Sequence, residues 1–275
     1  MRSMAEKYTI LKTEIKKDGV TVILAQKDSE PDVLELSMED FLEESLHEND
    51  RISSAQYLDL KKKSVRYKAY RLCIRKLSVK DRTEKEIRGI LSEQAELSKK
   101  DAEEILAKLK RKGYIDDSGY ADTVIQDLRA SLFGKERILK VLKEKGISEE
   151  LIREKLNAEK PGKEIERGAQ YAGMLIKTLD KYPQKEKRGR LLRKLVYRGY
   201  EKDDCTEILS SITFEKNEEK EHALLRKAFD STYTRHARKY EGPALKNAVL
   251  RSLLSKGFRY DDIMEYWNEN GGTDQ

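Results

Sequence analysis

Three stretches decide the fold: Leu142-Lys143-Glu144-Lys145-Gly146-Ile147, Leu195-Val196-Tyr197-Arg198-Gly199-Tyr200 and Leu253-Leu254-Ser255-Lys256-Gly257-Phe258. Each runs leucine, two residues, a basic residue, glycine and an apolar residue. This is the chemistry of a helix stop. The cation faces the negative end of the helix dipole. Glycine takes the left-handed conformation just past the cap, and the apolar residue folds back on the last turn as in a Schellman motif. Positive φ is therefore expected at Gly146, Gly199 and Gly257. Another helix should begin a few residues later, around Glu149, Asp203 and Asp261. A degenerate copy stands upstream at Leu91-x-x-Gln94-Ala95. The copies are spaced by roughly fifty residues, room for three helices, which marks a repeat architecture.

The same stop recurs out of phase at Leu109-x-x-Lys112-Gly113-Tyr114, where it should end the third helix of the first unit. Thr83 to Glu86 reads as a capping box, and Ser98 with Asp101 as a further helix start. After the latter, Ala102, Ile105, Leu106 and Leu109 form one buried stripe. The helical part therefore divides into units at 54–113, 114–159, 160–213 and 214–275. Residues 1–53 read differently. Tyr8–Ile15 and Val20–Ala25 are strand-like runs around Lys17-Asp18-Gly19, a hairpin signal, and Val33–Leu36 can add a third strand. Ser37-Met38-Glu39-Asp40 then caps a short acidic helix. The expected fold is mainly α, with tandem three-helix repeats in an elongated array. A β-hairpin or three-stranded sheet stands at its start.

Composition agrees. Of 275 residues, 37% are hydrophobic and 39% charged, too polar for one deep core and suited to thin helical layers. Only four prolines interrupt helices. The net charge of +6 arises from 57 bases against 51 acids, so basic patches sit in a mixed-charge surface. No uncharged apolar run approaches the ~20 residues of a membrane span. Cys73 and Cys205 lie far apart and read as inert thiols in a reducing cytoplasm.

The chain offers no catalytic constellation, no cofactor loop and no metal-ligand spacing. Gly134-Lys135 lacks the first glycine and the Ser or Thr of a phosphate-binding loop. Asp116-Asp117 could hold a metal, but adjacent acids before a helix suit the positive end of its dipole. Asp203-Asp204 and Asp261-Asp262 follow a glycine in the same way. An enzyme is not expected.

Basic segments are the stronger functional signal. Lys61 to Lys80 contains no acid and interleaves Tyr67 and Tyr70 with Lys68, Arg71 and Arg75. A second segment holds Lys185, Lys187, Arg188, Arg190, Arg193, Lys194 and Arg198 against Glu186 alone, and a third holds Arg235, Arg238 and Lys239. Each could be a solvated helix face, but three in one repeat protein favour a polyanionic partner, either nucleic-acid phosphate or an acidic protein groove. The acidic residues from Asp28 to Asp50 form either a solvated face, a surface packed near the basic first unit, or a nucleic-acid mimic.

Three motifs occur in an order that resembles the RecX family. They are Asp81-Arg82-Thr83-Glu84-Lys85-Glu86-Ile87, then Leu109-Lys110-Arg111-Lys112-Gly113-Tyr114-Ile115-Asp116-Asp117-Ser118-Gly119-Tyr120-Ala121, then Gly134-Lys135-Glu136-Arg137-Ile138 followed by Leu142 and Gly146-Ile147. The resemblance covers about Tyr67 to Leu156. The shortest members of that family have three such units, where this chain has four. The resemblance implies a cytoplasmic, monomeric, non-enzymatic regulator that binds RecA recombinase filaments, with their single- or double-stranded DNA, and limits recombinase activity. It also implies a binding role for Lys135 and Arg137, which match the family's motif. The basic segments add Lys68, Arg71, Arg75, Arg190, Arg193 and Lys194 as candidate filament or DNA contacts. Gly113, Gly146, Gly199 and Gly257 are assigned to helix stops. A direct DNA- or RNA-binding repeat module is the competing reading.

Overall fold

The computed structural model describes residues 7–27, 29–214 and 218–270. The chain forms two compact units. The first runs up to Ala121 and takes in Lys143–Ser148; the second comprises Asp122–Leu142 and the chain from Glu149 onward.

The first unit opens with β1 (Lys7–Lys16), β2 (Gly19–Gln26), β3 (Asp32–Leu36), α1 (Met38–Glu43) and β4 (Arg51–Ser53). The strands form an antiparallel sheet in the order β3-β2-β1-β4, so the sheet has four strands rather than two or three. The extra strand is three residues long and pairs Lys7, Tyr8 and Thr9 of β1 with Ser53, Ile52 and Arg51. Within the expected Lys17-Asp18-Gly19 stretch, Lys16 pairs with Gly19, so the loop is Lys17-Asp18 and Gly19 opens β2. Alternation along β2 sends Val20, Val22 and Leu24 into a core with Ile10, Leu34, Leu36, Leu46, Ile52 and Leu60.

Leu60 belongs to α2 (Ser54–Leu77), which starts from a capping box between Ser53 and Gln56. Its first half covers the sheet. There Ser64 Oγ accepts the Glu35 N–H at 2.9 Å, tying the helix to the edge strand β3. Its second half contributes Ala69 and Cys73 to another core with α3 (Glu84–Ser92) and α4 (Lys99–Arg111).

The remaining helices are α5 (Asp117–Ala130), α6 (Lys135–Lys145), α7 (Glu149–Asn157), α8 (Lys163–Ile176), α9 (Gln184–Arg198), α10 (Lys202–Ser211), α11 (Glu218–His236), α12 (Gly242–Ser255) and α13 (Tyr260–Asn270). The fold is thus mainly helical; counted in threes from α2, the helices are α2–α4, α5–α7, α8–α10 and α11–α13. Leu191, Leu195, Tyr200, Cys205 and Ile208 centre one core of the second unit, and Leu225, Val249, Leu253, Ile263 and Trp267 another. Each cysteine is free and buried, and burial pushes each thiol up to about 11.

The helix-stop glycines Gly113, Gly146, Gly199 and Gly257 have φ of 71°, 84°, 95° and 93°. At the third of these, the Gly199 N–H donates to the Val196 carbonyl at 3.0 Å and the Tyr200 N–H to the Leu195 carbonyl at 3.1 Å. That is the Schellman pair of bonds.

Three of these glycines also permit a close approach. A methyl group at Gly146 would lie 2.6 Å from Lys85 Cβ; at Gly199, 2.5 Å from Arg137 N; at Gly257, 2.9 Å from Glu186 Cβ. Lys85, Arg137 and Glu186 all stand in the first turn of the second helix of the preceding group, in α3, α6 and α9. The stop of one group therefore docks on the start of the equivalent helix before it, and this joint recurs three times.

Candidate functional site

The motif residues build these joints. Thr83 is fully buried. Its hydroxyl accepts the Glu86 N–H at 3.3 Å, closing the capping box, and donates to the Lys145 carbonyl at 2.7 Å, an acceptor left open where α6 ends. Lys145 Nζ then meets Glu86 Oε1 at 2.8 Å. Asp116 Oδ1 accepts the N–H groups of Ser118 and Gly119 at 3.0 Å, capping α5. Asp117 Oδ1 accepts the Glu84 N–H at 2.9 Å, capping α3 from outside. The paired acids are thus committed to helix starts. Among the described residues, no group of three His, Cys, Asp or Glu is placed to hold a metal.

The second joint is the more elaborate. Leu132 sits at φ 59° where α5 stops, an uncommon conformation for a leucine. Its carbonyl receives Arg198 Nε at 3.2 Å and the Tyr200 hydroxyl at 3.0 Å. The Arg198 guanidinium also donates to the Ser131 carbonyl and stacks over Phe133 at 3.7 Å and Tyr171 at 4.8 Å. The Gly134 N–H donates to the Arg198 carbonyl at 3.1 Å, and the Glu136 N–H to that of Gly199 at 3.0 Å. Arg167, buried beneath, reaches Glu159, Glu164 and the Phe133 carbonyl. Nothing in local sequence singled out Arg167, because its partners lie on other elements.

Against this frame the eight candidate cations separate into two kinds. Arg71 pairs with Asp18 at 3.0 Å, and Tyr67 lies under its guanidinium. Lys135 meets Glu201 at 3.1 Å, while its backbone N–H caps on Glu164 at 2.8 Å. Burial pulls the Lys135 ammonium down, but the carboxylates around it prevail and hold it above the usual lysine value. Arg190 and Arg193 share Glu186, at 2.8 and 3.1 Å, and Arg190 stacks on Tyr182 at 3.8 Å. The other four, Lys68, Arg75, Arg137 and Lys194, are exposed, with no acid in ion-pair distance among the described residues.

The first basic helix is also partly answered by the acidic segment before it. Lys63 pairs with Glu44, which raises its pKa, and Arg66 meets Asp40 at 3.3 Å and Glu104 at 3.6 Å. The acidic stretch from Asp32 onward therefore packs on α2; Asp28 lies outside the described residues. Its role as a cover was one of three open readings, since the pairs join residues far apart in sequence. The structure gathers Lys68, Arg71 and Arg75 on α2. Separately, it sets Arg137 against Gly199, at the end of the helix that carries Arg190, Arg193 and Lys194.

One surface escaped the sequence reading. Leu192, Val196 and Tyr197 on α9 are 38%, 45% and 89% exposed. The available signal was positional: these residues precede Gly199 by seven, three and two, where the second group has Leu139, Lys143 and Glu144.

No protein-family model matches the chain. Among curated proteins, it is 30% identical to regulatory protein RecX of Staphylococcus haemolyticus over 76% of this chain and 80% of that one. It is 27% identical to that of Staphylococcus carnosus over 87% and 90%. A crystal structure of regulatory protein RecX is similar with a TM-score of 0.61 and 23% identity, over 74% of this chain and 100% of that one. No helix of the described residues is long and apolar enough to cross a membrane. With the motifs, the joints they build and the relatives in agreement, the chain belongs to the RecX family of regulatory proteins.

Proposed function

We propose that this protein binds RecA–DNA filaments and restrains their recombinase activity without catalysing a reaction itself. The observation that carries this is the set of uncompensated cations. Lys68 and Arg75 on α2, Arg137 at the start of α6 and Lys194 on α9 stand exposed with no acid within ion-pair distance among the described residues. A charge left unpaired by its own fold is available to a polyanion, and binding to phosphate is reinforced by counterion release. Placing these cations on successive three-helix groups lets several weak contacts act together through effective concentration. A body held in that way opposes filament extension by its binding free energy alone, while the filament supplies all ATP chemistry.

The test is RecA ATP hydrolysis on single-stranded DNA, with this protein titrated in at two salt concentrations. Wild type should lower the rate. Lys68→Glu with Arg75→Glu should raise the half-inhibiting concentration about tenfold or more. It should also flatten the log–log salt dependence by roughly 1.4 units, near 0.7 for each single-strand phosphate no longer neutralised. Equal inhibition by a folded variant with the same salt slope would place the filament contact elsewhere. Binding to bare DNA as tight as to filaments would instead favour a nucleic-acid module.

A further inference from the structure

Comparing equivalent helices isolates a surface that cation placement does not account for. The second helices of the four groups are α3, α6, α9 and α12. Aligned on their stops, the outward positions three and two residues before the stop hold Ser92 and Glu93, Lys143 and Glu144, Val196 and Tyr197, and Leu254 and Ser255. All eight are exposed. Only α9 places two large apolar groups there. One turn earlier, Leu192 extends the row, since residues four apart share a helix face. Tyr197 is 89% exposed and has no hydrogen bond among the described residues. A joint explains none of this, because the side chains that make the joint of this group are those of Arg198 and Tyr200.

We infer that this face of α9 is the docking surface for a protein partner whose contact has an apolar centre and an acidic margin. The rim sets the charge. At about 100° per residue Arg193 falls between the Leu192–Val196 row and Tyr197, Lys194 falls beyond Tyr197, and Arg137 lies against Gly199 at the end of the helix. Glu186, the one acid within α9, is already shared by Arg190 and Arg193. A second copy of the chain fits poorly, because a two-fold contact would set Arg193 and Lys194 against their own counterparts. A nucleic-acid strand fits poorly too, because Leu192 and Val196 offer a phosphate backbone no donor. Aromatic anchors ringed by cations are instead the composition of a protein-interface centre.

This rests on the preceding reading for its partner, which is then the RecA protein of the filament and not its DNA. The experiment uses the full chain with Val196→Ser and Tyr197→Ser together. Both side chains are exposed, so the thermal melt should match wild type. Retention on RecA–single-stranded DNA filaments is measured by cosedimentation, and binding to the same DNA without RecA by fluorescence anisotropy. The expected result is at least a tenfold loss of filament affinity, with bare-DNA affinity and its salt slope unchanged. Filament affinity equal to wild type overturns the inference alone. A parallel loss on bare DNA assigns the face to nucleic acid and overturns it. So does concentration-dependent self-association of wild type, by light scattering, that the variant abolishes. If wild type is not retained on filaments at all, the preceding reading fails and this one falls with it.

Discussion

Leu109-x-x-Lys112-Gly113-Tyr114 and Leu195-x-x-Arg198-Gly199-Tyr200 are nearly the same sentence, and the molecule uses them differently. Both end a helix with a left-handed glycine, and both make the Schellman bonds: Tyr114 N–H to the Leu109 carbonyl at 3.0 Å, and Tyr200 N–H to that of Leu195 at 3.1 Å. Around Gly113 there is open space, and Tyr114 is 49% exposed. Gly199 lies against the Arg137 backbone, and Tyr200 is 2% exposed. The stop itself is local chemistry. What it docks against is set by residues more than sixty positions away.

If that distinction is real, the largest difference should appear at the glycines. Alanine at Gly113 meets only backbone strain, about 1 kcal/mol. Alanine at Gly199 meets the same strain and must also displace the start of α6, for a loss of about 3 kcal/mol or more. Urea melts of the two variants measure this directly. Equal losses would mean that the joint at Gly199 yields freely, and the comparison would collapse.

The basic residues before the glycines should differ less, but in the same direction. Arg198→Lys keeps the charge yet loses the fork that serves two carbonyls and the plane that stacks on Phe133, for about 1–2 kcal/mol. Lys112→Ala removes only an exposed cation near a helix end, about 0.3 kcal/mol. A silent Arg198→Lys would show that charge alone matters there.

The same pair shows how much was legible in the sequence. Helix stops and capping boxes were readable, because each is complete within six residues. The joints were not, since Thr83 bonds to Lys145 and Tyr200 to Leu132 across long separations. β4 was missed because Arg51-Ile52-Ser53 is too short to show a period and exists only through its pairing with β1. The hairpin around Lys17-Asp18-Gly19 was legible, although the pairing of Lys16 with Gly19 puts the glycine in β2 rather than in the loop. At the candidate site, the cations were legible and their neutralisation was not. Arg71 and Asp18, or Arg66 and Asp40, meet only once the sheet is folded against α2. The apolar row on α9 was hidden by the charges interleaved with it.

The smallest effect is expected at the aromatic hydroxyls. Tyr200→Phe removes a bond to the Leu132 carbonyl and should lose about 1 kcal/mol at neutral pH, while Tyr114→Phe should change stability by less than about 0.5 kcal/mol. The hydroxyl also gives the joint an alkaline signature. Burial pushes the Tyr200 phenol up to about 12 from an ordinary 10.0, against the opposing pull of Arg167. The folded state therefore favours the protonated phenol. That contribution is fully present below pH 10 and is lost as pH rises from there towards 12. The cysteines, raised to about 11, and Tyr57, also raised to about 12, titrate in the same window, so the wild-type melt alone does not isolate it. The difference between wild type and Tyr200→Phe does: the gap in stability should narrow as pH rises from 10 towards 12. A constant Tyr200→Phe gap through that range would mean that the phenol ionises as easily folded as unfolded, and that the second joint is open to water.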